Sequence, residues 1–599
     1  MTTQSANMHI FSIPVMGTGF SIDTPLRVAQ YGISSVISLV DDVLIEQMRK
    51  FHAERSGEPY EAVGQQEEDA RARRITLYLN LMNRLVQRQV QQMKSAEFSP
   101  ESNIVRYFEL LPDIEPRRLY QKMLAEDDPA EKARLQEELR TLVVPGSIDV
   151  NIMTTINKTN FRGNKMLPSE YADALAALRG FARSELRSSV VLSAGMNQRL
   201  YTYLTRFEDF YLDAEGELAK KISLKVSDYR SAEIQGRFLA KRGIWVSEYR
   251  IESGLNCGGH AFPTTGSLMG PVLEQFKNRK HELIEKIFTI YRKTLAKMGR
   301  RTNTECPAVR FTVQGGIGSC VESDLLMQYY DMDGTGWGTP FLLVPEVTNV
   351  DEAHLAKLTG ATERDVYLSN SSPLGIPFWN LRTSDSEKAR RRRIREGRPG
   401  SPCPKGFSVT NTEFSEAPIC IASRTYQKLK LKSLSENGYT KEQMSFISED
   451  VLSKSCICHD LSGSVKVKNG IETNATPALC CGPNIVYFSR IATLKEMVDH
   501  IYGRGIELTR PGRPHMFIQE MMLYIDYFRE EMEKFLLKLS TRKKEYFTEF
   551  RKNLQEGLEY YQRLSESFAR EEWGSFIDDL KSVCKALEAL EPDPIVTSS

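Results

Sequence analysis

Tryptophan and histidine are scarce in this chain, at 4 and 8 residues of 599, and cysteine is thin at 10. So few cysteines exclude a disulfide scaffold; in a reducing compartment they read as thiols, metal ligands or nucleophiles. Charge of one sign is not in excess either. The 79 Lys plus Arg face 78 Asp plus Glu, so no global field draws the chain to nucleic acid or to an anionic membrane, and any polyanion site must be local. Long apolar runs are also missing. None approaches the roughly 18 residues that a membrane helix needs. No Lys or Arg precedes Arg27, so the charged start of a secretory signal is lacking and a cytoplasmic location is expected.

What is present is an ordinary globular mix, 41% hydrophobic and 26% charged, which excludes a disordered tail or a fibrous repeat. Short β-branched runs stand at 10–15, 35–40, 148–153, 190–194, 222–226, 244–251, 309–313 and 336–344. Several are nearly continuous apolar runs, as in parallel strands buried on both faces, and helical stretches such as 172–186 and 232–241 lie between them. The pattern predicts an α/β fold, a (β/α)8 TIM barrel over 1–350, with a doubly wound open sheet as the alternative. A helical insertion is expected over about 41–146. There Ile75, Leu79, Met82, Val86 and Val90 recur at helical spacing as a packing face. Residues 351–510 are loop-rich and hold six of the ten cysteines, and 511–599 reads as a closing helical hairpin.

Two glycine-rich segments carry the strongest chemistry: Phe311-Thr-Val-Gln-Gly-Gly-Ile-Gly-Ser319 and Gly336-Trp-Gly-Thr-Pro-Phe341. In barrels that bind phosphorylated ligands, the loops after strands seven and eight form the phosphate site, because glycine lets backbone N–H groups approach the oxygens. The binding candidates are Gly315, Gly316, Gly318, Ser319, Gly336, Gly338 and Thr339. A third segment, Ser253-Gly-Leu-Asn-Cys-Gly-Gly-His260, ends the sixth strand, where barrel active sites lie. Its two glycines, Gly258 and Gly259, leave room around His260, whose ordinary near-neutral pKa suits proton transfer.

Together these segments resemble the nitronate monooxygenase, or 2-nitropropane dioxygenase, family of FMN-dependent barrels related to flavin-dependent enoyl reductases. The family's Glu-Ala-Gly-Gly-His motif is matched by Asn256-Cys-Gly-Gly-His260, its Ala-Gly-Gly-Ile by Gln314-Gly-Gly-Ile317, and its Met-Gly-Thr-Arg-Phe by Trp337-Gly-Thr-Pro-Phe341. The opening strand end Pro14-Val-Met-Gly-Thr-Gly19 and Asn151 in Asp149-Val-Asn-Ile-Met153 are similar to family positions near the flavin. The resemblance covers residues 10–345 and implies FMN held by Met16, Gly17, Thr18, Asn151 and the glycine loops. It also implies His260 as the acid/base group of an oxidoreductase acting on a small substrate activated by a nitro or carbonyl group. Asn256 stands where the family has Glu, and Pro340 where it has Arg. Two other functions remain open: an enoyl-thioester reductase-like enzyme with an acyl-carrier partner, and a non-catalytic binding or assembly protein on a relic barrel.

The clustered cysteines admit a 4Fe–4S cluster or zinc, with Cys403, Cys420, Cys458 and Cys480 as ligands and Cys456 and Cys481 as alternates. Buried inert thiols are the competing reading, and it applies also to Cys257 and Cys320 beside the glycine loops. The basic run from Lys388 to Arg398 is either a solvated face or a grip for RNA, a carrier-protein helix or a phosphorylated substrate.

Overall fold

The computed structural model describes residues 8–162, 165–193, 195–302, 304–402, 404–434, 436, 438–567 and 570–590. Eight parallel strands close a barrel: β1 Phe11–Ile13, β2 Ser34–Ser38, β3 Ile148–Met153, β4 Ser189–Ser193, β5 Lys221–Val226, β6 Glu248–Glu252, β7 Arg310–Gln314 and β8 Gly334–Gly336. They neighbour one another in chain order, and β8 pairs with β1 through Phe11↔Thr335 and Ser12↔Gly336. Register brings the strand ends level: Ser38 faces Asn151, and Glu252 and Gly336 both face Gln314. The TIM-barrel expectation therefore holds, and the open-sheet alternative does not.

The strands alternate more than their apolar look suggests. Val150, Ile152, Ile222, Leu224, Tyr249, Ile251, Phe311 and Val313 are buried, as strands packed under covering helices require. Between them stand polar residues that fill the barrel interior. Arg250 donates to Glu248, and Thr312 Oγ1 donates to Glu248 Oε1 at 2.5 Å. A barrel of eight strands is just wide enough for such side chains to pack.

The insertion begins with α1, Asp42–Ser56, started by Asp41, whose side chain accepts from Leu44 N–H. Then comes α2, Ala70–Lys94, with Ile75, Leu79, Met82, Val86 and Val90 all buried. It packs on α3, Asp173–Ala182, so closely that a Cβ at Gly180 would lie 2.8 Å from Ile75. The stripe is a packing face.

Two elements depart from expectation. The eighth strand is Gly334–Gly336, and the apolar run after it forms a 3-10 helix over Thr339–Leu343, because Pro340 removes a ladder donor and presets a helical φ. Among the described residues the C-terminal region holds three helices rather than a hairpin: α5 Met516–Leu536, α6 Lys544–Glu566 and α7 Arg570–Glu588. The end of α6 at Glu566 has no glycine or proline just after it to announce it. The middle region also carries an antiparallel hairpin, β9 Val366–Ser369 with β10 Phe378–Leu381, and α4, Asp385–Arg395. Among the described residues no helix is long and apolar enough to cross a membrane.

Candidate active site

A cleft of about 1430 Å³, counting its solvent-open mouth, lies at the C-terminal end of the barrel. Residues at or just past the ends of all eight strands reach it, among them Met16, Ser38, Asn151, Ser193, Lys225, Glu252, Gln314 and Gly336. Of the residues expected at a flavin, Met16, Gly17, Thr18, Asn151, Gly258, Gly259, His260, Gly315, Gly316, Gly336, Gly338 and Thr339 line it together. Gly318 and Ser319 do not. Gly318 N–H donates to Glu322 Oε2 at 2.7 Å, and Ser319 caps the short helix Cys320–Asp324, so both lie behind the loop.

The glycine loops have the backbone that their composition suggested. Gly315 and Gly316 hold φ of +113° and +78°, which L side chains rarely adopt, and a Cβ at Gly316 would fall 2.0 Å from Asn256 Nδ2. The N–H groups of Gly316, Ile317, Gly338 and Thr339 donate to no acceptor among the described residues. Four buried side-chain atoms in the wall also lack a partner there: Thr18 Oγ1, Asn151 Oδ1, Asn256 Oδ1 and Gln314 Oε1. Buried polar groups are almost always satisfied, so this ring of unused donors and acceptors marks a place for a polar ligand.

His260 sits on the rim. Its Nε2 is 2.7 Å from Ser372 Oγ, and its ring meets Phe378 edge-on at 5.0 Å. Hairpin β9–β10 fixes the loop, with Trp379 N–H donating to Gly259 O and Trp379 Nε1 to Leu255 O. Burial lowers the His260 pKa to about 4. The imidazole is therefore neutral at pH 7, a ready base and a weak acid, which corrects the near-neutral pKa expected from residue type. In the tautomer whose Nε2–H donates to Ser372, Nδ1 offers its lone pair.

Sequence reasoning overlooked an ion pair in the floor. Lys225 Nζ lies 2.6 Å from Glu252 Oε2, and Gln314 Nε2 donates to Glu252 Oε1 at 2.5 Å. Its signal was a charged residue at the end of an otherwise apolar strand, in Leu224-Lys-Val226 and Ile251-Glu252. Ser372, Ile457, Leu461 and Asn484, all beyond residue 350, also line the cleft.

Among the described residues, no group of three or more His, Cys, Asp or Glu side chains is placed to hold a metal ion, and Cys403 lies outside those residues. Cys458 and Cys480 line the cleft, while Cys420, Cys456 and Cys481 are buried. Burial pushes Cys480 up to about 12 and raises Cys257, Cys320 and Cys481, so with no cation bound to them these thiols stay protonated at neutral pH. Cys480 Sγ would meet a Cβ at Gly17 at 3.1 Å, and its carbonyl accepts Gly259 N–H: it works as a small packing residue. The basic run forms α4. Arg390 and Arg393 turn inward onto Leu452 O and Ser401 Oγ, while Lys388, Arg391, Arg392 and Arg395 face outward.

One carboxyl behind the loop gives a pH signature. Glu520 is 2% exposed; it accepts from Ser253 Oγ at 2.5 Å and from Met269 N–H at 2.7 Å, and burial raises its pKa from 4.5 to about 7. The folded state thus holds this proton more tightly than the unfolded chain. The stabilisation is complete below pH 4.5 and lost as pH rises through 7. In urea titrations at pH 4.5 and pH 8, Glu520→Gln should remove about 3 kcal/mol of the wild-type decline between them. Equal declines in both proteins would show that Glu520 does not titrate there.

Comparison with protein-family models and with curated proteins finds no match. Among solved structures, the enoyl reductase domain of MlnA from the macrolactin biosynthesis cluster of Bacillus amyloliquefaciens aligns over 76% of this chain and 89% of its own. The identity is 12% and the TM-score 0.32. Nitroalkane oxidase from Streptomyces ansochromogenes aligns over 62% of this chain and 76% of its own, at 10% identity and a TM-score of 0.27.

Proposed function

We propose that the chain is an FMN-dependent oxidoreductase in which His260 moves a proton to or from a small substrate activated by a nitro or carbonyl group. The observation that carries this is the convergence, in one cleft, of unused backbone N–H groups on two glycine loops, unpartnered polar atoms and a neutral histidine. The residues fit the cofactor. Gly316, Ile317, Gly338 and Thr339 offer N–H groups to a phosphate, and Thr18, Asn151, Asn256 and Gln314 offer partners to a polar ring edge. Bound FMN supplies hydride or electron exchange.

The chain's own groups do the rest. Ser372 holds the His260 ring, and Nδ1 takes the proton beside the activating group. The Lys225–Glu252 pair keeps a fixed dipole in the floor, and the β9–β10 hairpin narrows the mouth against water. Full-length protein reconstituted with FMN should hold one flavin per chain after gel filtration and bleach with dithionite under anaerobic conditions. Protein that passes through colourless, with free FMN recovered in the salt fraction, contradicts the assignment.

A further inference from the structure

Three consecutive carbonyls of the β7 loop are each taken by a side chain from far along the sequence. Gly316 O accepts Arg513 Nη2 at 2.6 Å, Ile317 O accepts Asn484 Nδ2 at 3.0 Å, and Gly318 O lies 2.9 Å from His500 Nε2. Arg513 is the hub. Its Nε donates to Asn484 Oδ1 at 3.0 Å, its Nη1 pairs with Glu322 at 2.7 Å, and its guanidinium lies against Gly318, where a Cβ would come within 2.4 Å. Glu322 in turn accepts the N–H groups of Gly318 and of Met516, at the start of α5. The Arg513–Glu322 pair lies behind the loop: neither residue reaches the cleft, whereas Gly316, Ile317 and Asn484 do.

A trans peptide points its C=O and N–H in opposite directions, and the described chain has no cis bond. Holding Gly316 O from behind therefore turns Ile317 N–H toward the cleft, where it has no partner among the described residues. A cation on the carbonyl also polarises the amide and strengthens its N–H as a donor. We propose that Arg513 is a positioning residue for the anion site: it aims and polarises the Gly316–Ile317 peptide for the phosphate of the ligand, without touching the ligand. The inference rests on the flavin reading and adds to it the source of the phosphate's affinity, a side chain about 200 residues away in sequence.

The test measures dissociation constants for FMN and for riboflavin, which lacks the phosphate, by fluorescence titration of the full chain. The variant Arg513→Met/Glu322→Gln removes both members of the buried pair, so no lone carboxylate is left. It should weaken FMN about 30-fold and riboflavin less than about threefold, the worth of a charge-assisted hydrogen bond. Arg513→Lys keeps the charge but not the fork, and should recover part of the FMN affinity. Thermal melts in phosphate-free buffer report whether each variant folds. If FMN and riboflavin weaken together, or neither changes, Arg513 is a structural residue and the inference fails while the flavin reading stands. If the wild-type chain binds neither FMN nor inorganic phosphate, both fail.

Discussion

Replacing His260 by Ala should slow substrate-dependent flavin reduction by about 100- to 10,000-fold, the range that a positioned acid/base group contributes. FMN affinity should stay within about threefold, because the two glycine loops are untouched. The reason is local. His260 lines the cleft, it is held by Ser372 on Nε2, and its other ring nitrogen has no hydrogen-bond partner among the described residues. Burial sets the sign of the pH dependence. A base works when neutral, so the acid limb of the wild-type pH–rate profile should fall near pH 4 instead of near 6.5, and His260→Ala should lose that limb. Stopped-flow reduction against pH tests both statements. A limb near 6.5, or a variant reduced at the wild-type rate, would give the proton transfer to another group.

Gly316→Ala should weaken FMN binding at least about 100-fold, as the loss of two or more backbone donors implies. The new Cβ would stand 2.0 Å from Asn256 Nδ2. Asn256 cannot step aside: it is 2% exposed and its Nδ2 is bonded to Met516 O at 3.2 Å. The loop must move instead, and the N–H groups beside it lose their aim. The backbone adds its own penalty, since φ of +78° costs an L-residue about 1–2 kcal/mol. Gly57→Ala separates the two effects. Gly57 has φ of +69° and nothing within 4 Å of its Cβ position, so this variant carries similar strain with no collision and should bind FMN as the wild type does. Equal binding by both variants would remove the β7 loop from the phosphate site.

These residues show what could be read from sequence and what could not. The barrel was legible because parallel strands need β-branched runs; β8 was not, because Gly334-Thr-Gly336 has almost no side chain and the louder apolar run beyond it became a 3-10 helix. His260 and the glycine loops stood out through local composition. The Lys225–Glu252 pair did not, because a charge in a strand ordinarily faces solvent, and it takes the parallel pairing of β5 with β6 inside a closed barrel to bring both side chains together in the interior. Gly318 and Ser319 look like phosphate donors, but Glu322, four and three positions on, accepts the Gly318 N–H on its carboxylate and donates its own N–H to Ser319 Oγ. The cysteines suggest metal through their number in one region, yet a thiol is also a good small packing group, as Cys480 is against Gly17. Arg513, Asn484 and His500 follow no motif; their role arises from long-range packing alone.

The central claim is that one phosphorylated flavin lies across the barrel mouth with its phosphate on the two glycine loops and its ring beside His260. The most direct measurement is a crystal structure of the full chain grown with FMN. The account predicts phosphate oxygens within hydrogen-bond distance of Ile317 N and Thr339 N, a ring edge against Asn151 and Gln314, and His260 Nδ1 open toward the ring face. A flavin seated elsewhere, or a phosphate away from both loops in a cleft that is otherwise unchanged, would contradict it.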